Sequence, residues 1–406
     1  MNKRIVKDKK IIIILLFLFI HLCVNVFFDI LKCFPAVGET EIEDSQIKAE
    51  EELNESIYEL IGELDLEAFQ EYIDSLGTIS SGNVGERLIA YIKGEEFDYG
   101  NFFQEIFQVL FEGIREMLPA FACIAAISLL SGVISSLQSS SNMHTSAEMI
   151  FLISFAAALI PLLGVLTECF KETLDSVSAM QKQMQIVYPL MLTLMSASGG
   201  SVSVAVCRPA VAFFSNAIVS VISSVVLPLT IVIIAFSVAG NLTKELKIGK
   251  FSAFFKSINK WIIGVCVSVF GLFFTLQGLT ASTYDGVVRR AAKYAIGNGV
   301  PIVGGFLSGG FDLAVAGSVL IKNSLGSMSI FLMVSVLFEP LLLLLGVNLL
   351  LRFTAAVTQP FGDSSISNFL GETAENLHYC TAGLLFTAFM YFLTIVMMVS
   401  VSEALF

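Results

Sequence analysis

Six apolar runs constrain this chain more than any other feature. They cover residues 118–137, 147–167, 209–239, 261–282, 328–351 and 380–401. Each is long enough to cross the roughly 30 Å hydrocarbon core of a bilayer as a helix. Inside lipid every backbone N–H and C=O must be satisfied within the protein, which leaves helices or a closed barrel. Continuous apolar runs, without the alternation of barrel strands, predict an all-α polytopic membrane protein with about six spanning helices. Composition agrees: 55% of the residues are hydrophobic and 14% charged, where soluble proteins carry about 25% charged residues.

The charge is segregated. Residues 39–116 hold 21 acidic side chains against four basic ones, in a chain whose net charge is −12. One short segment therefore carries more than the whole net acidity, and the chain lacks the basic footprint that a nucleic acid requires. Within the segment, Leu53, Ile57, Leu60, Ile61 and Leu64 recur at helical spacing, as do Leu66, Phe69, Tyr72, Ile73 and Leu76. Residues 84–92 make a further short helix, and Phe102, Ile106, Val109, Leu110 and Ile114 face one side of a helix that enters the first span. This predicts a small acidic helical region outside the cytoplasm, either a domain of its own or an arm leaning on partners. Ahead of it, residues 1–38 have the layout of a secretory signal. Lys3, Arg4, Lys7, Lys9 and Lys10 precede an apolar run, and Ala36 and Gly38 form a small-x-small pair. An uncleaved anchor is the alternative.

Lys244, Lys247, Lys250, Lys256 and Lys260, against Glu245 alone, assign the loop after the third span to the cytoplasm. Trp261, the only tryptophan, opens the next span where an interfacial aromatic belongs. Residues 168–188 are amphipathic, with Leu174, Val177, Met180, Met184 and Val187 on one face, and predict a helix lying along the membrane interface. Parity then requires residues 189–206 to be re-entrant. A second amphipathic stretch sets Val287, Val288, Ala291, Tyr294 and Ala295 against Arg289, Arg290 and Lys293. Parity places it outside, against the positive-inside rule, and an electrostatic contact of those three cations with the acidic region is the expected compensation.

Residues 294–326 hold eight of the chain's thirty glycines. Their plan repeats that of residues 188–216: a proline (Pro189, Pro301), an apolar piece, then Ser-Gly-Gly (Ser198-Gly199-Gly200, Ser308-Gly309-Gly310) and a long span. The expected organisation is a transmembrane hairpin at 117–167 and two membrane repeats at 168–282 and 283–401, each with a re-entrant or broken Gly-rich segment. Broken apolar segments at matching positions mark either a membrane passage or close helix packing. Gly199, Gly200, Gly304, Gly305, Gly309 and Gly310, with Asp312, Lys322 and Glu339, are the candidate residues for both roles. Glu339 falls near mid-span before Pro340, where an ionisable group is costly. It reads either as part of an ion pathway or as a buried ion pair, with Arg208, Asp312 and Lys322 as the available partners.

No enzyme chemistry emerges. His21, His144 and His378 are scattered, and the seven cysteines lack metal-ligand spacing; Cys23 and Cys33 lie in the leader, Cys123, Cys207, Cys266 and Cys380 in or beside spans, and Cys169 is expected outside one. SASGGS and GNGVPIVGG follow no strand and lack the Lys-Ser/Thr ending of a phosphate-binding loop. No catalytic residue, metal site or cofactor is expected.

SASGGSVSVAV, VVRRAAKYAIGNGVPIVGGFLSGGFDLAVAGSVLIKNSLG and TAAVTQPFGD, with the leader, acidic arm and polytopic region in this order, resemble the stage III sporulation protein AE family of endospore-forming bacteria. The resemblance implies a membrane component of the transenvelope complex between mother cell and forespore. Its implied partners are the other stage III sporulation membrane, ring and ATPase proteins, in a likeness of secretion systems that supports late forespore gene expression. It implies a multi-pass location in the mother-cell membrane facing the forespore, and a homo-oligomer in contact with lipid. A conduit-forming role and a non-conducting scaffold that recruits ring and ATPase subunits both stand, with a stand-alone secondary transporter behind them.

Overall fold

The computed structural model describes residues 44–76, 83–92, 102–138, 144–242, 248–299, 304–360, 362 and 364–403. The signal-like segment 1–38, Lys244, Lys247 and Pro301 lie outside these residues. All regular structure among the described residues is helical. Three short helices, α1 (Asp44–Glu63), α2 (Glu67–Leu76) and α3 (Val84–Ile92), precede α4 (Phe102–Gln138) and α5 (His144–Ala197). After a turn, α6 (Ser201–Phe213) passes through π-helical turns at Phe214–Ile218 and Ile222–Val226 into α7 (Leu227–Leu242). Then come α8 (Gly249–Gly299), α9 (Gly304–Thr358) and α10 (Ser364–Glu403).

Six stretches are long and apolar enough to cross a membrane: Phe111–Ile134, Met149–Ala197, Ser203–Leu242, Gly249–Thr275, Leu313–Thr358 and Ser364–Ser400. Each overlaps one predicted span. The helices themselves are much longer than a span. α5, α8 and α9 have 54, 51 and 55 residues, or roughly 80 Å each at 1.5 Å per residue.

α10 is the centre of the bundle. Of its apolar window 67% is buried, against 17% for α8, which lies at the edge. Around α10 pack α9, α7 and α5, and α4 packs against α5 and α9. The filling is aromatic and sulfur-rich: Tyr188, Tyr391, Met180, Met184 and Met191 are all fully buried. The Tyr188 and Tyr391 rings meet edge-on at 5.6 Å, the arrangement that the ring quadrupole favours.

The segment 168–188 is the middle of α5 and not an element of its own. Val177, Met180, Met184 and Val187 of its apolar face are fully buried while Leu174 is exposed, and α9 and α10 pack against this helix. Protein covers that face where the sequence predicts lipid. Cys169, predicted outside a span, is likewise fully buried within the Met149–Ala197 stretch.

The two Gly-rich segments differ. In the first, α5 runs through Pro189 to Ala197, the chain turns at Ser198–Gly200, and α6 returns against α5. Gly199 holds φ at 90°, a backbone region where a Cβ is strained and glycine is not. In the second, the helix ends at Gly299 and resumes at Gly304. Gly304, Gly305, Gly309 and Gly310 are all helical, so the second Ser-Gly-Gly is not the counterpart of the first turn.

The acidic region leans on its own chain. Ile57 and Leu60 of α1 meet α9 at Gly317, where an added Cβ would stand 3.1 Å from the Leu60 side chain. From α2, the Tyr72 hydroxyl donates to the Ala179 carbonyl of α5 at 3.3 Å. Burial pushes the Tyr72 phenol well above its ordinary value. The fold therefore holds this phenol neutral, and the stability that its burial contributes is lost as pH rises past about 10, the value in an unfolded chain. Tyr72→Phe is expected to cost about 1 kcal/mol at neutral pH. It should also remove part of the alkaline loss, as read from limited proteolysis of the arm across a pH series.

Candidate functional site

The polar groups inside the bundle form the candidate site, and the sequence-predicted residues separate within it. Lys322 on α9 is fully buried. Its ammonium donates to the Val399 carbonyl at 2.8 Å, one turn from the end of α10 at Glu403. A cation is favoured there by the exposed carbonyls and the negative end of the helix dipole. Beside it Gly326 brings α9 onto α10: an added Cβ would stand 2.7 Å from Val399 Cγ2, 3.5 Å from Ile395 and 3.6 Å from Met191 of α5. This glycine seals a three-helix seam. Farther along, fully buried Gln183 of α5 donates to the Ser329 carbonyl of α9 at 2.9 Å.

Glu339 is exposed on α9. Seventeen residues separate it from Lys322, about 25 Å along the helix, so the two do not form the ion pair that the sequence offers. Glu339 instead lies close enough to Glu172 of α5 to act on it, in a group that also holds Lys171, Asp175 and Glu168. A band of charged residues of both signs thus interrupts two long apolar helices. Asp312 lies on α9, and Arg289, Arg290 and Lys293 lie on α8; their side chains fall outside the described residues, as do the surroundings of Gly304, Gly305, Gly309 and Gly310.

Arg208 lines a cleft of about 510 Å³ between the end of α5 and the start of α6. Gln185 Nε2 donates to Asn216 Oδ1 at 2.7 Å across that helix pair. Gly200, the N-cap of α6, offers no side-chain cap.

Two further polar clusters were not singled out from the sequence. Glu372 of α10 accepts from Ser237 Oγ and from Asn241 Nδ2 at 3.1 Å, which ties α10 to α7. Arg352 near the end of α9 donates to Asn348 Oδ1 at 2.8 Å and to His378 Nε2 at 3.0 Å. Asn348 donates in turn to the Ala374 carbonyl at 2.5 Å. The only legible signal was a polar residue within helical reach of an apolar run; the partners are 26 to 135 residues away. Among the described residues no group of three or more His, Cys, Asp or Glu is arranged to hold a metal ion. The contacts of Glu372, His378 and Ala374 join helices to one another.

A family model described as stage III sporulation protein AE matches residues 83–402, which takes in α3 and the helices that follow it. Over 371 residues the chain is 22% identical to the stage III sporulation protein AE of Bacillus subtilis (strain 168), covering 90% of this chain and 92% of that protein. No solved structure matches the chain.

Proposed function

The chain belongs to the stage III sporulation protein AE family, and on that premise we propose that it forms or lines the conduit of a transenvelope complex between mother cell and forespore. Its partners in this reading are the other stage III membrane, ring and ATPase proteins, and its location is the mother-cell membrane facing the forespore. It acts there without catalysis of its own, as a passage needed for late forespore gene expression.

Helix length carries the reading. Helices of 51 to 55 residues, roughly 80 Å long, exceed the roughly 30 Å that a bilayer requires and suit a component that reaches across an intermembrane space. The acidic arm docks on α5 at Ala179, eleven residues beyond the first charge of the band at Glu168. A carboxylate-rich arm belongs in water, so the stretch of α5 from Glu168 to its docking point at Ala179 lies outside the lipid. The core of a single copy is filled by Tyr188, Tyr391 and buried methionines. A passage therefore runs between copies, which makes the active form a homo-oligomer.

The Gly326 seam favours one second reading. It shows that at least one glycine of the Gly-rich segment serves packing, as a scaffold that recruits rings and ATPase without conducting would need. Reconstituting the purified full chain as separated oligomeric forms, and measuring release of a trapped small dye, distinguishes the two. Release by the oligomer and not by the monomer is the expected result. Absence of release in every form would leave the scaffold.

A further inference from the structure

The cleft between α5 and α6 opens beside the packed core, with Met184 and Tyr188 at its floor. It has a volume of about 510 Å³, within the usual range of small-molecule sites. Both walls belong to stretches apolar enough to span a membrane, Met149–Ala197 and Ser203–Leu242. One part of its lining is apolar, with Leu192, Val204 and Val211, and the other is polar, with Thr193, Ser196, Ser215 and Arg208. Among the described residues no acid lines it, and Arg208 is exposed along its wall. A cation in an apolar span is retained where something neutralises it. The first turn of α6, which carries Val204, borders the cleft and begins without a side-chain cap, so the positive end of the helix dipole adds to the same field.

We propose that this cleft holds one anionic phospholipid, its phosphodiester on Arg208 and one acyl chain along Leu192, Val204 and Val211. Guanidinium presents paired N–H donors that match two phosphate oxygens, a stronger contact than a point charge makes. The hydroxyls of Thr193 and Ser215 already donate to the Pro189 and Val211 carbonyls, which leaves the Arg208 guanidinium as the donor to the phosphate, and the Gln185–Asn216 hydrogen bond ties the two walls together. The lipid would act as a wedge that fixes the hairpin around Gly199.

The test uses the full chain purified in detergent, exchanged into an equimolar mixture of phosphatidylglycerol and phosphatidylcholine, with retained lipid read by native mass spectrometry. Wild-type protein is expected to retain the anionic lipid about tenfold over the zwitterionic one, a difference of about 1.4 kcal/mol. Arg208→Gln should equalise the two, and Arg208→Lys should keep part of the preference. Ala212→Leu fills the cleft from an exposed lining position and leaves the charge in place, so it should lower retention of both lipids even where Arg208→Gln fails to fold. Equal retention of the two lipids by wild type, an undiminished preference in Arg208→Gln, or unchanged retention in Ala212→Leu would overturn the proposal. So would full displacement of the lipid by inorganic phosphate, which would make the site one for a free anion. A lipid-free dimer that Arg208→Gln dissolves would also overturn it, since a second copy would then fill the cleft.

Discussion

Lys322→Glu is expected to prevent the bundle from forming. The Lys322 side chain is fully buried, and its ammonium points at the Val399 carbonyl. A carboxylate there would face the negative end of α10 with no donor in place of the one removed. An uncompensated charge in such a site costs about 3–5 kcal/mol, a large share of the roughly 5–15 kcal/mol by which a folded protein is stable. Lys322→Met separates charge from size: it keeps most of the length and loses a charge-assisted hydrogen bond of about 1.5–3 kcal/mol, while relieving the desolvation of the ammonium. Folded yield and thermal unfolding in detergent should rank wild type first, Met second and Glu a distant third. Equal behaviour of Glu and wild type would mean that the ammonium is not buried against α10.

The second large effect lies four residues along the same helix. Gly326→Leu places a branched side chain where even a Cβ would stand 2.7 Å from Val399 Cγ2. Overpacking of this kind costs about 1–3 kcal/mol, and three helices share the strain here. A double-mutant cycle tests the geometry with smaller changes. Gly326→Ala alone should destabilise, and Val399→Ala in the same chain should recover part of the loss, since it removes the methyl that the new Cβ meets. A coupling of about 0.5–3 kcal/mol is the signature of direct contact. Strictly additive effects would place α9 and α10 farther apart.

These two residues also show what the sequence could and could not disclose. Lys322 and the glycines stand out because they are rare within apolar runs. That Lys322 serves a backbone carbonyl 77 residues away is not written in its neighbourhood, since any carbonyl of any helix end would satisfy it. Glu339 stood out for the same reason and proved to be exposed, because period and depth do not tell which face of a helix its neighbours cover. The amphipathic pattern of residues 168–188 failed in the same way. Val177, Met180 and Met184 needed an apolar surface, and lipid and protein both provide one; α9 and α10 took the place of lipid.

Local signals did better. The helical spacing in the acidic region gave residues 84–92 the bounds of α3, and it gave the apolar faces of α1 and α2 because those faces are narrow and regular. The six apolar runs each found their helix, since length and hydropathy alone decide that a segment enters lipid. Helix ends were read worse. The turn at Ser198–Gly200 was visible because Gly199 takes a left-handed conformation. Ser308-Gly309-Gly310 has the same residues in the interior of α9, where three neighbours of low helix propensity are carried by a 55-residue helix.

Electron cryomicroscopy of the purified full-length oligomer tests the central claim most directly. The expected result is a closed ring of copies whose passage is bounded by neighbouring subunits, with Tyr188 and Tyr391 in contact and each copy's core shut. A monomer, or a passage running through the core of one copy between α5 and α10, would contradict it.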